Sequence, residues 1–444
     1  IAIGLSLAIL LGFQFFFEAP RQEHMQKLAD EQAAEQARQT GQGPDGSLIP
    51  TAPAQSGTPG APGTAQTGSI PGAPAIQAAP GASRDAALRQ SPRVPVNGPR
   101  LGGSIALKGG RIDDLTMLDY KATIDEGSPA VTLFSPQGAP QPYFGQFGWV
   151  PIGELKVPDS DTVWQADHPS VQPARPLTLS WDNGQGVRFI QVVEIDDNFM
   201  MTVTQRVENN STQAISTHPY GRIARTHTPN TLGFYILHEG PLAVFNETLK
   251  EVDYDDLQEG PADATKSTGG WIGITDKYWL AALIPDQKQP YTGTFRYSKP
   301  NKQDTYQADF MTQAPQLIAP GATAQTVSHV FVGAKEVTLL DRYEEQLGIA
   351  RFDLAVDFGW FYFLTKPLFF VLDYFFKMLG NFGLAILLLT VCVKAVFFPL
   401  ANKSYKSMSK MKALQPEMTK LRERHGDDRT KMNQEMMALY KREK

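Results

Sequence analysis

The sequence predicts a membrane protein of mixed architecture, with α-helical transmembrane segments flanking a large β-sandwich and a helical hairpin at the end. Three observations carry this. Residues 1–17 and 382–400 are nearly unbroken apolar runs. Residues 101–350 are rich in short alternating strands separated by turn residues. Residues 394–444 hold 13 Lys or Arg against 6 Asp or Glu, a charge of +7 that leaves −12 on the rest of a chain of total charge −5. Halves of opposite sign face different surroundings.

Residues 1–17 (IAIGLSLAILLGFQFFF) approach the length of roughly 20 residues that crosses a bilayer. A cleaved signal peptide needs a small-residue cleavage site. Glu18-Ala19-Pro20-Arg21 is a poor one, so an uncleaved transmembrane signal anchor is favoured. Residues 18–100 turn polar and then Pro-, Gly-, Ala- and Gln-rich, a composition that buries too little apolar surface to offset ordering entropy. They read as a disordered linker.

Residues 101–351 read as a β-sandwich. Residues 187–195 (VRFIQVVEI) and 199–207 (FMMTVTQRV) alternate as adjacent strands joined by Asp196-Asp197-Asn198. Asn183-Gly184 marks a hairpin between TLSW and VRFI. Residues 269–274 and 278–284 form another predicted pair, and 292–297 and 326–332 add strands. Residues 336–347 read as a helix returning toward the membrane.

Residues 352–379 carry eleven aromatic side chains interrupted by Asp353, Asp357, Lys366, Asp373 and Lys377. Aromatics favour membrane–water interfaces and charges oppose a simple span, so an interfacial amphipathic helix is predicted, with Pro367 kinking it or opening a new turn. Residues 380–401 form a transmembrane helix whose one charge is Lys394. Lys403, Lys406, Lys410 and Lys412 follow and mark the cytoplasmic side, which makes the β-rich region extracytoplasmic. In residues 402–444, apolar residues recur at three- and four-residue spacing on either side of His425-Gly426-Asp427-Asp428. A helical hairpin pairing as a short coiled coil follows, with Pro416 bending its first arm. No stop signal marks Lys444, so a longer natural chain is expected.

Lys394 is the sharpest functional candidate. A charge within a span costs at least ~2.5–3.5 kcal/mol on insertion scales, so it faces a polar cavity or snorkels to the headgroups. The residue alone leaves both readings open. Thr390 lies one turn earlier on the same face, and an intrahelical backbone bond is its bland alternative. Met408, Met411, Met418, Met432 and Met436 present flexible, polarizable surface for apolar clients, with coiled-coil core as the alternative. The lysines and arginines around them suit ribosomal RNA, anionic lipid or a plain solvated face.

The segment LQPEMTKLRERHGDDRTKMNQEMMALYKREK, the aromatic Asp357-Phe358-Gly359-Trp360-Phe361 and GGWIGITDKYWLAALIP resemble the YidC family of membrane protein insertases. The resemblance implies a periplasmic β-sandwich at 101–351 and a bacterial inner-membrane, multi-pass topology with 18–351 periplasmic and 402–444 cytoplasmic. It implies an insertase and chaperone in which a positive residue, most often Arg, faces a hydrated groove. Lys394 keeps that charge without the planar fork of Arg, and Thr390 matches the family's groove hydroxyl. Implied partners are nascent membrane proteins, membrane lipids, the ribosome and Sec translocon components including SecDF, with the chain acting as a monomer.

Chemistry of other kinds finds little support. No P-loop, HExxH or GxSxG occurs, and His168, His218, His227, His238 and His329 lack metal spacing, so neither cofactor, metal nor enzymatic activity is expected. The single cysteine, Cys392, sits in an apolar run and reads as a buried thiol. The acidic run Glu251, Asp253, Asp255 and Asp256 reads as a solvated loop. Trp271, Tyr278 and Trp279 read as core rather than the wall of a sugar-binding cleft. The rival function is a membrane-tethered periplasmic carbohydrate- or peptide-binding module, or a sugar-active enzyme in the same sandwich. An anchored module has no use for Lys394 beside Thr390, and an enzyme needs convergent acid and base groups that the sequence does not show.

Overall fold

The computed structural model describes residues 70, 83–231, 237–260, 264–359, 361–424, 433, 434 and 437–439. The anchor predicted at 1–17 and most of the linker predicted at 18–100 lie outside the described residues.

Two antiparallel sheets form the β-sandwich. The first runs, in spatial order, Arg93–Asn97, Leu101–Ala106, Arg111–Lys121, Tyr143–Ile152, Ile215–Thr226, Thr305–Thr312, Pro290–Ser298 and Thr265–Thr268. The second runs Thr248–Glu251, Gly240–Phe245, Gly270–Thr275, Trp279–Ile284, Thr323–Ala334, Met200–Asn209, Val187–Ile195, Leu177–Asp182 and Gln165–Ala166. The predicted strand at 187–195 spans the same residues, and its hairpin partner Met200–Asn209 starts one residue late. Their turn is tied by Asp196, whose carboxylate accepts the amides of Asn198 at 2.9 Å and Met200 at 3.0 Å. Asn183 Oδ1 closes the other hairpin by accepting from Gln185 and Val187, and Gly184 supplies the positive φ of 74° it requires.

Alternation decides which side chains enter the core. In Met200–Asn209, residues Met201, Val203, Gln205, Val207 and Asn209 point inward. The two buried glutamines staple the sheets: Gln191 donates to the carbonyl of Phe147 at 3.0 Å and Gln205 to that of Gly148 at 2.6 Å. Around them pack Trp149, edge-on to Phe189 with centroids 5.1 Å apart, and a continuous apolar core.

Folded structure begins before the predicted boundary at 101. A short helix α1 (Arg84–Leu88), capped by Ser83, precedes the strand Arg93–Asn97, which pairs with Leu101–Ala106. Val94 and Val96 bury their side chains there, apolar area the linker reading overlooked. The acidic run is no loop: Glu251 ends a strand, and Asp255 and Asp256 occupy the first turn of α2 (Tyr254–Glu259), where carboxylates suit the helix dipole.

The chain leaves the sandwich through α3 (Val337–Leu347), ended by Gly348 at φ 65°, and a 3-10 turn, Phe352–Ala355. Tyr343 of α3 donates to Asp196. Phe352 is fully buried edge-on between Trp271 and Phe331, each ring 5.6 Å away. Trp271 also donates its indole N–H to the carbonyl of Arg351 at 3.3 Å. The predicted helix at 352–379 is therefore shorter, because its first residues are claimed by the sandwich core. Replacing Trp271 with Ala removes this packing and should cost about 3–5 kcal/mol. Urea unfolding followed by β-sheet circular dichroism checks it, with a loss below about 1 kcal/mol counting against the assignment.

Candidate functional site

Two packed helices follow the sandwich: α4 (Tyr362–Leu379) and α5 (Phe382–Arg424). Thr365 donates to the carbonyls of Phe358 and Phe361 at the start of α4, which continues through Pro367. Gly380, at φ 64°, terminates it with an N–H bond to Phe376 of 2.8 Å. Asn381 then accepts the amide of Leu384 at 3.1 Å and starts α5. Ala385 is buried, and Phe376 and Phe382 meet across the turn at 5.7 Å. Most of α4 is apolar yet exposed, including Phe363, Phe370 and Tyr374.

Among the described residues, α5 is the helix long and apolar enough to cross a membrane. It runs unbroken through Pro399 and Pro416, so the predicted division at 401 is a change of composition within one helix. Thr390 and Lys394 are both exposed, one turn apart on one face. Thr390 donates its hydroxyl to the carbonyl of Ile386 at 2.8 Å, the backbone bond weighed as its bland alternative. No ion-pair partner for Lys394 occurs among the described residues. Cys392 is only half-buried. Met408 and Met411 are exposed and Met418 is half-buried. Met432, Met436 and the turn at 425–428 lie outside the described residues.

The charges that interrupted the aromatic segment have a structural use that periodicity did not reveal. Lys366 of α4 reaches Asp341 of α3 at 3.0 Å and Asp353 of the 3-10 turn at 3.1 Å. Tyr362 donates to the same Asp353 carboxylate, and Arg351 pairs with it at 3.4 Å. The Asp353 amide donates to Glu344 at 2.9 Å. One buried carboxylate thus joins sandwich, α3 and α4. Burial opposes its ionisation, but the bonds from Tyr362 and Lys366 and the Lys366 charge outweigh burial and hold it below the usual carboxylate range.

The histidines hold ordinary partners: His218 meets the carbonyl of Thr312, His238 that of Pro241 and His329 the hydroxyl of Thr202. No group of metal-binding side chains occurs among the described residues. Trp271 is core, as predicted. Tyr278, by contrast, is 57% exposed and Trp279 half-buried, because they lie where the strand Trp279–Ile284 begins, beside α4.

The sequence model of the YidC periplasmic domain matches residues 93–371, and that of the 60Kd inner membrane protein family matches residues 374–444. The membrane protein insertase YidC of Methylobacterium radiotolerans is 45% identical over 456 residues, covering 100% of this chain and 72% of its own. The chain belongs to the YidC family. The Methylorubrum extorquens YidC is 46% identical over 454 residues with the same coverage, and that of Rickettsia bellii 39% over 445 residues. A galactose mutarotase related enzyme from Lactobacillus acidophilus aligns over 54% of this chain and 97% of its own, with a TM-score of 0.38 and 8% identity. At that level nothing about binding or catalysis carries across. As in other YidC proteins, the chain is an inner-membrane protein whose sandwich is the periplasmic domain. The family match begins at residue 93, the first residue of the first strand.

The Asp353 junction should respond to pH. Its folded pKa is depressed, so its contribution is full above the ordinary carboxylate value of about 3.9 and disappears as pH falls through the lower folded value. Asp353→Asn should free α4 at neutral pH, seen as faster hydrogen exchange in residues 362–379. Exchange indistinguishable from wild type would show that apolar packing alone holds the helix.

Proposed function

We propose that this YidC-family chain inserts nascent transmembrane segments through a hydrated groove for which the Thr390–Lys394 face of α5 is one wall. The observation that carries the reading is an ammonium group within the apolar stretch of α5, with no carboxylate to neutralise it among the described residues. Hydrocarbon penalises such a charge, so it is retained where water or a client's acidic flank reaches it. A client brings a polar flank that must cross the same barrier. A positively charged, wet recess shortens the apolar path, attracts acidic flanks and lets the apolar segment slide into lipid. No bond is made or broken, and no catalytic group is needed.

The hydroxyl of Thr390 offers the flank a second polar contact when it turns from its helix carbonyl. On the cytoplasmic side, the exposed Met408 and Met411, with Met418, Met432 and Met436, make a compliant surface for arriving clients, where the chain acts as a chaperone. The basic residues beside them suit the ribosome. Cooperation with the Sec translocon and SecDF belongs to the same reading, and so does action as a monomer.

Lys394→Ala should lower insertion of a single-span client with an acidic periplasmic flank about tenfold, equal to a net attraction of about 1.4 kcal/mol, while Lys394→Arg keeps it. Protease protection of the translocated flank measures this in inverted vesicles. Unchanged insertion by the alanine variant would refute the role of the charge.

A further inference from the structure

Beside the Asp353 junction, a cleft of about 1060 Å³ opens between the periplasmic domain and α4. Val131, Tyr278, Trp279 and Val356 line it from the domain, and Phe369 from the helix. Lys121, Lys277, Lys335 and Lys377 line it as well. Lys377 is paired with Asp373 at 2.6 Å, and Glu336 is engaged by Arg100 and Tyr120. Lys121, Lys277 and Lys335 have no carboxylate within ion-pairing distance of their ammonium groups among the described residues, although Asp357 lines the same cleft and Glu239 accepts the Lys277 amide at 3.1 Å. Lys277 lies 4.8 Å from the Tyr278 ring centroid. Lys335 donates to Thr275 at 2.9 Å. Burial lowers its pKa to about 8 against the pull of Asp276, Asp357, Glu239 and Glu251.

The domain wall of the cleft carries lysines and apolar side chains together, and the helix wall adds Phe369. Its rim helix α4 exposes aromatic side chains and leads, two residues on, into the apolar helix α5. An occupant at that level has to be amphipathic and anionic.

We propose that this cleft binds one anionic phospholipid, its phosphate held by Lys121, Lys277 and Lys335 and an acyl chain laid against Phe369, Val356 and Tyr278. The lipid becomes a wedge that sets the periplasmic domain's height over the bilayer. The inference rests on the reading of α4 as a membrane-surface helix. Quenching of a fluorophore at Tyr374 by brominated lipid tests that reading separately, and its absence would remove α4 from the surface whatever the cleft binds.

The cleft itself is tested by native mass spectrometry of the full chain released from nanodiscs of equal phosphatidylglycerol and phosphatidylcholine. Wild type should retain one phosphatidylglycerol in preference to phosphatidylcholine. The K121Q/K277Q variant should lose that preference about tenfold, and K121R/K277R should keep it. Both pairs leave Lys394 and its role untouched. Equal retention of the two lipids, an unaffected glutamine variant, or equal loss in the arginine variant would overturn the assignment. So would displacement of phosphatidylglycerol by an acidic peptide, which would make the cleft a polypeptide site.

Discussion

Hydrocarbon cannot hydrate a cation, and everything distinctive about this molecule follows from placing one within an apolar helix. The Lys394 ammonium costs at least ~2.5–3.5 kcal/mol in lipid, the penalty that the proposed hydrated groove would relieve. A helix carrying such a group has to be held at a fixed depth and rotation, or the charge escapes to the headgroups. The turn between α4 and α5 supplies part of that control. Gly380 and Asn381 cap the two helices within two residues of each other, and Phe376 and Phe382 close the joint.

The remaining control comes from the periplasmic side. A surface helix by itself slides freely in the interface. Here Lys366 and Tyr362 of α4 are gripped by Asp353, whose backbone is locked against Trp271 and Phe331 by the buried ring of Phe352. Removing one member of such a buried charge set costs more than the set contributes in total. The rigid sandwich, stapled by Gln191 and Gln205, therefore acts through one carboxylate on the helix that leads to Lys394.

Much of this was legible in the sequence, for identifiable reasons. Residues 187–195 are rich in β-branched residues and end at turns with side-chain acceptors, so local signals and tertiary packing agree. The span and the Thr390–Lys394 spacing follow from composition and helical period alone. The strand Arg93–Asn97 was not legible because its Pro95 and flanking polar residues resemble the linker before it, and only pairing with a later strand organises it. Residues 352–355 read as helix because aromatic content marks an interface whether the rings meet lipid or core. Tyr278 was misjudged for the same reason. The Asp353 hub joins residues 9 to 13 positions apart through side chains, contacts that no periodicity encodes.

The central claim is that one face of α5 meets clients while the opposite face meets lipid. Site-specific photocrosslinking from positions 390, 392, 394 and 396 to a ribosome-bound single-span nascent chain tests it most directly. Crosslinks to the nascent chain from 390 and 394, with lipid adducts from 392 and 396, are the predicted pattern. Equal capture of the client from all four positions, or lipid adducts alone at 394, would contradict it.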